Sequence, residues 1–200
     1  SVKASRRLLK RCSLVNRLFR NCAQHLLFKH YSRLRSAEDL TEWLGLAASQ
    51  ATEALMVALP AEEGDEVPEW LASRPQEDLL ASVLCRSQQL TQLDLHATGV
   101  DLARLLTSPS LKNLTRLRVT ANGYRGKADF VDPLTPPAFN LDALEMDAFT
   151  SPLVLTYLVS SVSHVCYLAV GLADYREEDP VTPLIPILLA CKNTLAIFSL

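Results

Sequence analysis

Leu90-Thr91-Gln92-Leu93-Asp94-Leu95-His96 is followed 24 residues later by Leu114-Thr115-Arg116-Leu117-Arg118-Val119-Thr120, and this pair decides the fold. In both segments the first, fourth and sixth places are apolar. The spacing returns as Leu141-Leu144-Met146, Val165-Leu168-Val170 and Leu195-Phe198-Leu200, at offsets of 27, 24 and 30 residues. All fifteen places are apolar in a chain that is 48% hydrophobic, so composition alone does not produce the pattern. Alternation within each frame marks a half-buried strand. The interval leaves room for one return segment, which is the leucine-rich-repeat signature. The fold expected is therefore an α/β leucine-rich-repeat solenoid: parallel strands, helical or irregular returns, and an α-helical N-terminal cap. Stacked repeats build an extended surface and not an enclosed pocket, so the pattern points to binding.

Outside the frames, residues 6–24 place Leu8, Cys12, Val15, Phe19 and Cys22 on one helical face, with basic residues on the other. Residues 25–34 read as a strand through Leu26 and Phe28. Ser36, three residues before Asp39, suits a helix N-cap close to the capping-box pattern, and Leu40, Trp43, Leu44 and Ala47 form the stripe behind it. Residues 54–59 read as a strand ending at Pro60, residues 61–69 as an acidic loop, and residues 78–89 as a helix with Leu79, Leu80, Val83 and Leu84 inward. The returns read as a short helix at 100–106, an irregular proline-rich stretch at 124–140, and helices at 151–163 and 182–191. Pro186 must kink the last of these or mark its first turn. Only Asn122 supplies the asparagine that usually follows such frames, which predicts irregular curvature.

Charge is unevenly placed. Residues 1–35 hold ten Lys and Arg and no Asp or Glu, whereas the rest holds ten basic residues against 22 acidic ones. A basic head of this kind favours an acidic partner: protein, nucleic acid or membrane surface. No apolar stretch approaches the length of a membrane span, and no secretory signal pattern is present. The five cysteines are an odd number without a C-x-x-C pair, which fits a reducing compartment, cytoplasm or nucleus. The chain starts at Ser1 and stops at Leu200 inside the fifth frame, which reads as a fragment of a longer protein.

The segment Cys12-Ser13-Leu14-Val15-Asn16-Arg17-Leu18-Phe19, continued by Ala23-Gln24-His25-Leu26-Leu27-Phe28-Lys29-His30 and Ser36-Ala37-Glu38-Asp39-Leu40, resembles the second half of a fungal, basidiomycete-type F-box-like domain leading into leucine-rich repeats. In that family a helix of the type CSLVCRSW precedes AQPLLFRHV. Phe19 stands where the family carries Trp, and the family's opening Leu-Pro turn would lie before Ser1. The resemblance implies a partial F-box-like cap and first strand over residues 1–35, with irregular repeats over 36–200. It further implies a substrate-recognition subunit of a cullin-type ubiquitin ligase, with Leu14, Val15 and Phe19 toward the ligase's adaptor protein and the repeats toward a target protein.

Residues flanking the frame leucines face away from the core. Asp94, His96, Arg116, Arg118, Glu145, Asp147 and Tyr167 then share one face, with an arginine rung between two acidic rungs. Two readings stand: a recognition strip for a target, or cross-strand ion pairs on a solvated face. Cys22, His25 and His30 lack the fourth ligand of a closed zinc site. His96 and His164 stand alone, and no nucleophile-elbow, phosphate-loop or zinc-protease motif occurs. The expectation is a non-enzymatic, cofactor-free protein-binding module. A repeat scaffold without a ligase link, or anionic-surface binding by the basic helix, are the alternatives.

Overall fold

The computed structural model describes residues 22, 23, 26, 32–59, 74–97, 102–120, 136–147, 152–171 and 182–200. Seven strands form one sheet: β1 (Ser32–Leu34), β2 (Ala54–Leu59), β3 (Gln92–Ala97), β4 (Arg116–Thr120), β5 (Ala143–Asp147), β6 (Tyr167–Gly171) and β7 (Ile197–Ser199). All pairs are parallel and the spatial order equals the chain order. Between them run helices α1 (Ala37–Gly45), α2 (Arg74–Arg86), α3 (Leu102–Leu106), α4 (Pro152–Leu158) and α5 (Ile185–Cys191), with short 3-10 turns. A parallel pair needs a crossover, and each return supplies one. The chain is thus α/β, and a sheet ordered in this way is compatible with a solenoid.

The frames set the register. Leu55, Leu93, Leu117, Leu144, Leu168 and Phe198 align across β2 to β7, and Val57, Leu95, Val119, Met146 and Val170 form the next row. The first four frames are buried at every place and merge with helix residues such as Leu40, Trp43, Leu80, Leu105, Leu155 and Ile187 into one core. In β4 and β5 the alternate residues turn outward, so one sheet face is covered and the other is open. A one-residue slip would exchange the faces; the frames leave only one favourable register.

A backbone ladder ties the leading ends of the strands together. The Glu53 carbonyl accepts from the N–H groups of Thr91 and Gln92 at 2.8 and 3.0 Å, and Thr91 does the same for Thr115 and Arg116 at 2.9 and 3.0 Å. Thr115 continues to Asp142 and Ala143, Asp142 to Cys166 and Tyr167, and Cys166 to Ala196 and Ile197. Before these strands, i to i+3 turns deliver Thr52, Leu90, Leu114 and Val165 into the core. Buried Ser49, Ser87 and Ser161 donate their hydroxyls to the preceding turn at 2.6, 2.7 and 2.8 Å, which removes the cost of burying them.

Several local readings meet the structure directly. Ser36 caps α1, accepting from the Asp39 N–H at 3.2 Å, while the Asp39 carboxylate accepts from the Arg35 N–H at 2.7 Å. Pro186 occupies the first turn of α5, where its missing N–H costs nothing. One reading is corrected: Leu26 is helical, and of the strand read over residues 25–34 the described residues show Ser32–Leu34, paired with β2 at Leu55–Val57, while Phe28 lies outside them. In the fifth frame Leu195 packs against the core, while Phe198 is 43% and Leu200 63% exposed, because β7 is the edge strand and nothing among the described residues stacks on it. Asn122 and most of the proline-rich stretch lie outside the described residues.

Candidate recognition face

Each outward row on the open face collects residues from successive strands. The middle row runs Arg33, Met56, Asp94, Arg118, Glu145, Ala169 and Ser199. Beside it, toward the strand starts, runs Gln92, Arg116, Ala143, Tyr167 and Ile197. Toward the strand ends His96 faces Thr120, and Asp147 faces Gly171. All seven residues expected on this face are therefore on it. Leu14, Val15 and Phe19 lie outside the described residues, as do His25 and His30.

The central charges of the middle row pair with one another. The Arg118 guanidinium lies between two carboxylates, 3.3 Å from Glu145 Oε2 and 3.9 Å from Asp94 Oδ1. His96 Nε2 lies 2.8 Å from the same Asp94 oxygen, without hydrogen-bond alignment. The Thr120 hydroxyl engages His96 Nδ1 on the other side of the ring. Covered in this way, Asp94 is only 7% exposed, an unusual burial for a carboxylate on an open sheet. Arg118 remains largely in solvent, so each pair contributes on the order of 0.2–1 kcal/mol.

The neighbouring row differs. Arg116 is exposed and makes no side-chain ion pair among the described residues. Its partners in register are the methyl of Ala143 on one side and the amide of Gln92 on the other. Tyr167 stands one strand beyond Ala143, half-buried, and Ile197 closes the row 56% exposed. Sequence reasoning assigned Arg116 and Tyr167 to the face but missed Met56 and Ile197 there. The signal existed: Leu55 and Val57 hold the fourth and sixth places of a frame whose first place is Thr52, buried at 0% exposure. A polar first residue hid that frame.

The opposite side is held by structural contacts. Arg104 of α3 bridges Glu77 at 3.0 Å and Asp78 at 2.9 Å on α2, and these two partners hold its guanidinium more firmly charged than usual. Tyr157 donates its hydroxyl to the Leu106 carbonyl at 3.4 Å, and burial pushes its phenol up from the ordinary value. Burial likewise raises the Cys191 thiol. Cys22, Cys85, Cys166 and Cys191 are free thiols. Among the described residues no group of three His, Cys, Asp or Glu side chains could hold a metal ion, and no helix is long and apolar enough to cross a membrane.

Compared with protein-family models, curated proteins and solved structures, the chain finds no match in any of the three.

Proposed function

We propose that this chain is a leucine-rich-repeat protein-recognition module that holds a target protein on its open sheet face. The observation that carries the reading is the in-register outward strip. A row whose central charges pair with one another lies beside a row that leaves an arginine and an aromatic ring available. Solvated faces commonly carry ion pairs; an exposed arginine next to a methyl-floored step and a tyrosine is instead what interface anchors look like.

The resemblance of residues 12–40 to an F-box-like segment supports a more specific role: a substrate-recognition subunit of a cullin-type ubiquitin ligase. The mechanism would be non-catalytic. Tethering the target beside the ligase raises its effective concentration there. Leu14, Val15 and Phe19 would meet the adaptor protein, and the basic head over residues 1–35 suits an acidic partner. The test is a pull-down of the full-length protein with the ligase's small adaptor, beside a Leu14→Asp/Phe19→Asp variant of unchanged solubility. Capture by the intact protein and loss in the variant supports the ligase role. No capture removes it and leaves a repeat scaffold that works without a ligase.

A further inference from the structure

We infer that the row Arg116–Ala143–Tyr167 docks an extended acidic–apolar peptide segment, with a carboxylate on Arg116 and an aliphatic or aromatic side chain over Ala143 against Tyr167. This rests on the proposed recognition role of the open face and names the chemistry of what it recognises. The choice of row follows from charge. Arg118 already has two carboxylates, so an incoming acid must displace Glu145 to reach it. Arg116 has no carboxylate partner among the described residues, and its fork can accept one bidentately.

Shape argues in the same direction. Ala143 lies between two long side chains in register, which leaves a step one residue wide with an aliphatic arginine stem on one side and an aromatic ring on the other. Neighbouring strands are about 4.8 Å apart, so Arg116 and Tyr167 are separated by about 10 Å. An extended segment crossing the strands places side chains i and i+2 about 7 Å apart. Asp or Glu followed two residues later by Leu, Ile or Phe therefore spans the step. Ile197, exposed at the end of the row, extends the apolar contact.

The test uses the full chain on an array of random-flank peptides carrying Asp or Glu and, two residues on, Leu, Ile or Phe. Matched arrays substitute Asn or Gln, or Lys, for the acid. The expected result is capture of the acidic array, a loss of about tenfold with the amide array, worth about 1.4 kcal/mol, and the same loss in Arg116→Gln. Arg116→Glu should transfer preference to the Lys array, while Arg118→Gln should leave the acidic preference in place. All variants are compared at an unchanged thermal midpoint. Acidic preference that survives in Arg116→Glu overturns the proposal. Capture of basic peptides that depends on Glu145 overturns it too, but leaves the face a recognition surface. No capture by any array, with no effect of any outward substitution, overturns both.

Discussion

Two neighbouring outward rows of the sheet sit two residues apart along the same strands, yet they are built in opposite ways. In the middle row Asp94, Arg118 and Glu145 pair with one another across β3, β4 and β5. In the neighbouring row Arg116 faces a methyl and an amide, and its charge is left to solvent. Behind both rows the inward leucines form an uninterrupted core. The difference teaches that register alone does not decide what a face does. The same frame that places every outward residue also decides which charges meet a partner within the chain, and which stay open to one outside it.

The strongest way to break this comparison is to remove a residue beneath both rows. Leu117→Ala, at a site 2% exposed, should lower unfolding free energy by about 2–5 kcal/mol in urea titration. Phe198→Ala, in the same register position but at the open edge, should lower it by less than about 1 kcal/mol. Equal losses would mean that β7 is as well packed as β4. Next in size is the middle row: Asp94→Ala takes one carboxylate from both Arg118 and His96 and should destabilise by about 1 kcal/mol. That loss should shrink when Arg118→Ala is already present, which a double-mutant cycle measures.

Behind the sheet, Tyr157→Phe removes one long hydrogen bond and should cost about 0.5–1 kcal/mol at neutral pH. Its effect also depends on pH. Burial raises the folded-state pKa of Tyr157, so the unfolded chain gives up the proton first as pH climbs past about 10. The contribution is whole below that value and is lost as pH rises through the folded one. The alkaline limb of a stability–pH curve should therefore be shallower in the Phe variant. Smallest of all is Arg116→Gln, which has no ion pair to break among the described residues and should change stability by less than about 0.5 kcal/mol.

Much of this was legible in the chain. Fifteen apolar places predicted β3 to β7, the register and the sidedness, because strand period two and burial of one face leave a single solution. The Ser36 cap and the first turn of α5 were equally local. What escaped depends on neighbours in space. Thr52 hides the frame of β2 because its polarity breaks the pattern, although its backbone enters the core through the same i to i+3 turn as Leu90 and Leu114. Phe139, 1% exposed in an irregular return, has no periodicity to announce it. Of the face, the roster was readable but the pairing was not. Asp94, Arg118 and Glu145 were foreseen as alternating rungs, whereas the isolation of Arg116 follows only from Ala143 and Gln92 standing beside it.

The central claim is that the open face carries little of the fold's stability and is therefore available to a partner. Urea unfolding of an Arg116→Ala/Arg118→Ala/Glu145→Ala variant beside the unaltered chain tests it most directly. The account predicts an unchanged slope and a loss of at most about 1.5 kcal/mol. A loss as large as that of Leu117→Ala, about 2–5 kcal/mol, would contradict it and make the outward rows part of what holds the sheet together.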